Sequence, residues 1–388
     1  MTVRKLCSII ALIVAFRVQA QTADQSIPTL HTSTRIVAVA IVPTYSNDSP
    51  VTDLKSSEIQ VFDNGKKQTI LSFDPMDANA GTTQANQTGV SQPASSSTTH
   101  YPHYSVILLD ALNTEWSDQV FAQRAVQHLL DYLPEGEHVA IFVLSNHLYM
   151  LHDFTSNPAE LRAALQHLSA SMPQGGVSSK PSSPYSAEVS GADLVRLSGQ
   201  MRMHNALPTA EAAFYQRIRI VQTLQTLSGI ARLVKNAPGQ KNLLWVSSAF
   251  PLTISDGHGG SDTFYDQERK AADDLNSAGL RIYPVDARGL TVSPSAYINI
   301  ETMQQLAEQT GGKAFYNNND LGTEMRLALE DSRKGYLLTY TPKDLKEDGS
   351  FHTIRVRTSR GGVHLRYRRG YIAESNQPAS NLKPKHKK

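Results

Sequence analysis

Two periods of apolar and polar positions run along this chain, and the places where one gives way to the other divide it. Residues 35–42, RIVAVAIV, and the stretch EIQVFDNGKKQTILSF are rich in β-forming side chains. Asn64-Gly65 sits between two such runs and predicts a tight hairpin, because both residues tolerate positive φ. From residue 104 the pattern changes. Apolar runs of four to eight residues, bounded by turns, alternate with longer segments whose apolar positions recur at helical spacing. The runs are YSVILLD, HVAIFVLS, HLYMLHDF, NLLWVSS, LRIYPVD and KAFY. The helical segments lie at 118–133, from Pro158, from Thr209 toward Lys235, at 265–278, at 299–309 and after KAFY. In the first of these, Val120, Phe121, Val126, Leu129, Leu130 and Leu133 mark the expected buried face. Beyond residue 334 the β pattern returns in GYLLTYTP, FHTIRVRT and VHLRYRRGYI.

Strand and helix in alternation predict an α/β fold, a doubly wound and mostly parallel sheet with helices on both faces. Only Asn146 separates HVAIFVLS from HLYMLHDF, so those two runs must pair as a hairpin, giving one antiparallel edge strand. The β pieces at 34–74 and 335–373 are each too small to fold alone. They are expected to join as halves of one small β-sandwich, with the α/β unit at 104–334 inserted between them.

Composition changes this picture at the margins. With 388 residues, 40% hydrophobic and 19% charged, the chain is ordinary for a globular protein, and a net charge of +2 gives no reason to expect a nucleic-acid partner. Arg4 and Lys5, the apolar stretch from Ile9 to Phe16 and Val18-Gln19-Ala20 read as a signal peptide over 1–20, cleaved after Ala20. The product is then secreted or periplasmic, without an integral membrane segment. Cys7 is the only cysteine and lies inside that segment, so no disulfide or thiol chemistry is expected of the mature chain. Residues 75–103 have a flexible-linker composition, residues 171–208 read as an insertion rich in Ser, Pro and Gly, and residues 374–388 as a basic disordered tail.

Chemistry is expected at the end of YSVILLD. In an open α/β sheet, ligands bind where loops leave the carboxyl ends of the strands, and Asp110 stands at such an end. Several features together carry a family resemblance. They are PVTDLKSSEIQVFDNGKKQTILSF, LLDALNT at the first strand of the α/β unit, GYLLTYTP and the RRGYIA ending. Residues 104–334 resemble a von Willebrand factor type A domain, and residues 34–373 resemble the VWFA-related proteins of acidobacteria.

The resemblance implies a metal-ion-dependent adhesion site, built from Asp-x-Ser-x-Ser after the first strand, a Thr from a second loop and an Asp after the fourth strand. Mg²⁺ favours about six oxygen ligands, some of them water. This chain keeps Asp110 and Thr114, but Leu112 takes the middle position, GGVSS with Ser178 stands for the second loop, and Ser247-Ser248 replaces the second carboxylate. What remains for Mg²⁺ or another divalent cation is a degenerate set, Asp110, Asn113, Thr114, Ser178 and Ser248. Plainer roles are open to the same residues. Asp110 can bond its own loop, Thr114 or Ser117 can cap the next helix, and Trp116 can pack. Asp256, His258 and Asp262 in ISDGHGGSD fit a glycine-rich loop more simply than a second cation site.

Neither GxGxxG nor a P-loop occurs, and Ser248 lacks the glycines of a nucleophile elbow. The expected function is therefore a non-catalytic protein-interaction or adhesion module, with no cofactor beyond the metal just described. It would bind a protein partner through loops at the C-terminal edge of the sheet. The alternatives are Mg-dependent adhesion, a hydrolase using Ser248 or Asp110, and an envelope scaffold.

Overall fold

The structure, a computed structural model, describes residues 36–76, 102–170, 209–255, 260–290, 294–343 and 349–373. The expected signal peptide, insertion, tail and most of the linker lie outside the described residues, as do Ser178, Asp256 and His258.

The chain begins with β1 (Val37–Tyr45), β2 (Ile59–Asp63), β3 (Lys66–Lys67) and β4 (Ile70–Pro75). Asn64 and Gly65 turn β2 into β3 with φ of 46° and 79°, as the Asn-Gly pair predicts. The run after that turn does not remain one strand. β3 stops after two residues, and β4 leaves for a different sheet.

The α/β unit follows as β5 (His103–Asp110), α1 (Trp116–Leu129), β6 (Glu137–Leu144), β7 (Leu148–Thr155) and α2 (Pro158–Ala170). It continues with α3 (Thr209–Val234), β8 (Gln240–Ser247), the short pair β9 (Thr253–Ser255) and β10 (Ser261–Thr263), and α4 (Tyr265–Ala278). It closes with β11 (Leu280–Asp286), α5 (Pro294–Thr310) and α6 (Leu321–Arg333). The sheet order is β11-β8-β5-β6-β7, parallel except for the antiparallel edge pair of β6 and β7. A mixed α/β fold with a mostly parallel sheet is thus what the alternating pattern produces.

Alternate strand residues feed two separate cores. Val106, Leu108, Phe142, Trp245 and Ile282 pack with α3, α4 and α5. Ile107, Leu109, Ile141, Val246 and Val285 pack with α1, α2 and α6 on the other face.

Two expectations are corrected here. KAFY makes no strand, only an isolated parallel bridge from Phe315 to Val285, because Gly311-Gly312 and the turn at Asn317, with φ of 60°, leave it too short. In α1 the buried face is Gln119, Ala122, Gln123, Ala125, Val126 and Leu129, while Phe121 is 59% exposed. Small alanines fit against the sheet, so the phase cannot be read from the largest side chains alone.

After α6 come β12 (Tyr336–Tyr340), β13 (Phe351–Thr358), β14 (Val363–Tyr367) and β15 (Gly370–Ile372), one strand more than the pattern suggests. Strands from the two sides of the α/β unit pair with each other. One antiparallel sheet has the order β14-β1-β12-β4, another the order β15-β13-β2-β3. Val39, Ile41, Val61, Leu338, Tyr340 and Val356, drawn from both, share one hydrophobic cluster. Gly335 makes the passage from α6 into β12 at φ +108°, where a Cβ would fall 2.1 Å from the Ile41 carbonyl oxygen.

These strands dock on the α/β unit at its helix C-termini. Arg368 donates to the Asn276 carbonyl of α4 at 2.8 Å, and Arg366 forks onto Asp331 of α6 at 2.6 and 2.9 Å. Cations are favourable there, where the last carbonyls of a helix point outward. The contact covers the N-terminal edge of the parallel sheet and leaves the C-terminal rim, where Asp110 stands, on the opposite side.

Candidate functional site

The apolar run of β5 ends on Asp110, and its alternation aims the side chain toward α3, in line with Leu108. The chain then bends, with Leu112 N–H donating to the Leu144 carbonyl at 3.0 Å. Asp110 is 2% exposed, so its carboxylate depends on protein donors. Oδ1 accepts the Asn113 backbone N–H at 3.1 Å. Oδ2 accepts from Asn113 Nδ2 at 2.9 Å, Trp245 Nε1 at 3.0 Å and Ser247 Oγ at 2.7 Å. Burial raises the Asp110 pKa, and the hydrogen bonds from Asn113, Ser247 and Trp245 oppose that rise.

The network continues outward on both sides. Ser247 Oγ accepts the N–H of Ala249 at 2.9 Å, which holds that residue at a φ of 57°, unusual for alanine. Asn113 Nδ2 also donates to Thr223 Oγ1 of α3 at 2.7 Å. Thr114 is buried, and its Oγ1 accepts the Ser248 N–H at 3.1 Å. That bond, rather than a helix cap, is what Thr114 provides. The N-cap of α1 is Glu115, without a side-chain cap, and Ser117 lies inside the helix. Ser248 Oγ is buried and has no hydrogen-bond partner among the described residues.

Four of the five expected residues, Asp110, Asn113, Thr114 and Ser248, are therefore brought together, and Ser178 lies outside the described residues. Trp245 and Thr223 join them without a motif to announce them. The indole is fully buried in the middle of a strand, and the hydroxyl comes from a helix more than a hundred residues downstream.

As a donor set for Mg²⁺ this arrangement does not fit. Oδ2 already accepts three hydrogen bonds and Oδ1 one, Leu112 is packed in the core, and no second carboxylate stands at Ser247-Ser248. Among the described residues no group of three or more His, Cys, Asp or Glu side chains could hold a metal ion. Asp262, the described carboxylate of ISDGHGGSD, pairs with Arg217 of α3.

A cleft of about 510 Å³ opens beside the rim, lined by Asp118, Phe121, Arg124, His128, Arg288 and Asp320. Its charges are mixed, and Arg288 is engaged by Asp286 at 2.7 and 2.9 Å. Glu324 of α6 is buried nearby, and its pKa is pushed up to about 7 by burial and by the charges of Asp286 and Asp320.

The strand order and the single antiparallel edge make the α/β unit a von Willebrand A-like fold. Several solved structures are similar to the chain. An aerotolerance-related membrane protein from Bacteroides fragilis is 12% identical over 59% of this chain and 98% of its own, with a TM-score of 0.34. The conserved hypothetical protein BatB from Bacteroides thetaiotaomicron is 13% identical over 60% of this chain and 98% of its own, with a TM-score of 0.33. The SpRpn10 VWA domain is 9% identical over 58% of this chain and 94% of its own, with a TM-score of 0.27. No protein-family model and no curated protein matches the sequence. Among the described residues no helix is long and apolar enough to cross a membrane.

Proposed function

We propose that the protein is an exported, non-catalytic interaction module that binds a protein partner through the loops at the C-terminal edge of its parallel sheet. The observation that carries this reading is the orientation of the two halves. The strands of the first and last segments cover the opposite edge through Arg366 and Arg368, and among the described residues they leave the rim with Asp110 uncovered. In this reading residues 34–74 and 335–373 form one β-sandwich that holds the α/β unit at 104–334 as an insertion. Residues 1–20 are removed after Ala20, which puts the product in the periplasm or outside the cell. In this reading Ser248 is not a nucleophile, which agrees with a hydroxyl that has no hydrogen-bond partner among the described residues.

The test uses exposed rim positions, so that the buried network is left intact. Wild-type protein and a Glu115→Lys/Ser117→Arg variant are used to capture partners from periplasmic extract, with circular dichroism to confirm that both are folded. Loss of the captured proteins in the variant is the expected result. The same partners at the same yield from both would sink the assignment to this rim. Metal-dependent adhesion through Asp110 and Thr114 is the competing reading. Calorimetry settles it, because heat of binding with millimolar Mg²⁺ or Mn²⁺ would restore it.

A further inference from the structure

Among the described residues, Arg219 at this rim has no anion paired with it. Arg219 lies one turn before Thr223, whose hydroxyl donates to the Arg219 carbonyl at 2.8 Å and accepts from Asn113 at 2.7 Å. Those bonds hold this turn of α3 against the loop that follows Asp110. α3 descends from the C-terminal rim and feeds the foot of β8, and helical side chains lean toward the helix N-terminus. Arg219 therefore leans up toward the rim. Its Nε is buried and meets no acceptor among the described residues, whereas Arg217, two residues earlier, is engaged by Asp262.

Asp110 does not serve as its partner. The two form no ion pair, and the carboxylate already accepts four hydrogen bonds, from Asn113, Trp245 and Ser247. The charge of Asp110 is nonetheless felt at Arg219, where it offsets part of the lowering that burial causes. Ser248 Oγ is a second orphan on the same rim, in a residue only 7% exposed and tied to Thr114 through its N–H. A buried N–H and a buried O–H without acceptors are costly unless something fills the role. A guanidinium fork fits a carboxylate with two parallel hydrogen bonds, and one such cation matches one negative charge.

We propose that Arg219 stands in for a metal ion at this rim, receiving the carboxylate of an acidic side chain on the partner protein, with Ser248 Oγ as an added donor. The proposal rests on the interaction reading above and names the chemistry of the partner.

The probe is acetate, titrated into the full chain labelled with ¹⁵N-arginine, in EDTA, with the arginine Nε–H resonances observed. The Arg219 resonance is assigned by its loss in Arg219→Gln. It should move saturably, with a midpoint in the millimolar range, and Ser248→Ala should raise that midpoint about three- to tenfold. Arg219→Lys keeps the charge but not the fork and should raise the acetate midpoint, followed on the Ser248 amide resonance of uniformly ¹⁵N-labelled protein. Three results would each overturn the proposal: an equal shift with sodium chloride at matched ionic strength, a shift that needs Mg²⁺, or tighter binding of inorganic phosphate than of acetate. If acetate fails while partner capture still depends on Glu115 and Ser117, only the Arg219 assignment falls. If acetate binds while capture ignores those residues, only the interaction reading falls.

Discussion

Asp110 and Asp63 both end a strand, both are buried and both collect donors from distant parts of the chain, yet they leave their surroundings in different states. At Asp63, the Tyr340 and Tyr371 hydroxyls donate to Oδ2 at 2.9 and 2.8 Å, and His352 Nδ1 lies 2.7 Å from Oδ1. The cluster ties β2 to β12, β13 and β15, and none of its members is left without a partner. At Asp110 the carboxylate is equally satisfied, but around it Ser248 Oγ and Arg219 Nε find no acceptor among the described residues. In the proposed reading Asp63 is a clamp, and Asp110 is the floor of a binding face.

The largest expected effect tests the clamp. Asp63→Ala strands two hydroxyls and an imidazole in a shared core and should cost roughly 4 kcal/mol in urea unfolding. Asp110→Ala strands the Trp245, Ser247 and Asn113 donors and should cost about 3 kcal/mol, so a much smaller loss would mean that the network is looser than its distances imply. A pH series separates the two halves further. Glu324 holds its proton up to about pH 7 when folded and only to about its ordinary 4.5 when unfolded, so unfolding releases a proton between those values. Stability is then lost as pH rises through that window. Glu324→Gln should remove the loss, unfolding on the order of 1 kcal/mol later than wild type at pH 8, with the two converging below pH 4.5. A constant difference across the series would refute this. Asp110, with its pKa also raised, adds to the same trend from its ordinary 3.8 upward, and Asp110→Asn should flatten that part.

The two adjacent serines give the sharpest contrast and the smallest effects. Ser247→Ala removes a donor to Asp110 and an acceptor for Ala249, at about 1 kcal/mol. Ser248→Ala removes a hydroxyl that bonds nothing and should leave the melting temperature unchanged while weakening acetate binding. Equal melting shifts for both would erase the distinction between floor and face.

Much of the fold is legible in residues 104–334 because parallel strands are buried on both faces and read as unbroken apolar runs. The antiparallel edge followed from one short connection at Asn146. The phase of α1 was not legible, because Ala122 and Ala125 face the sheet while the larger Phe121 faces solvent. At the site, Asp110 and Thr114 could be found from their place after a strand. Trp245, Thr223 and Arg219 could not, since each looks like an ordinary strand or helix residue until three elements meet. The β strands outside the α/β unit could be counted only approximately. Gln68-Thr69, where β3 breaks from β4, and Arg368-Arg369, where β14 yields to β15, hold none of the residues that usually announce a turn.

The pairing of Pro75 with Tyr336 and of Asp74 with Leu337 means that the chain leaves β4 for the α/β unit and re-enters at β12 through neighbouring, antiparallel strands. Tension applied between residues 36 and 373 is then carried by the hydrogen-bonded ladders of β1 with β12 and β14 and of β13 with β2 and β15. The α/β unit hangs from this frame as a side loop, outside the line of force. A load on the chain ends would have to shear those ladders before it could distort the loops around Asp110.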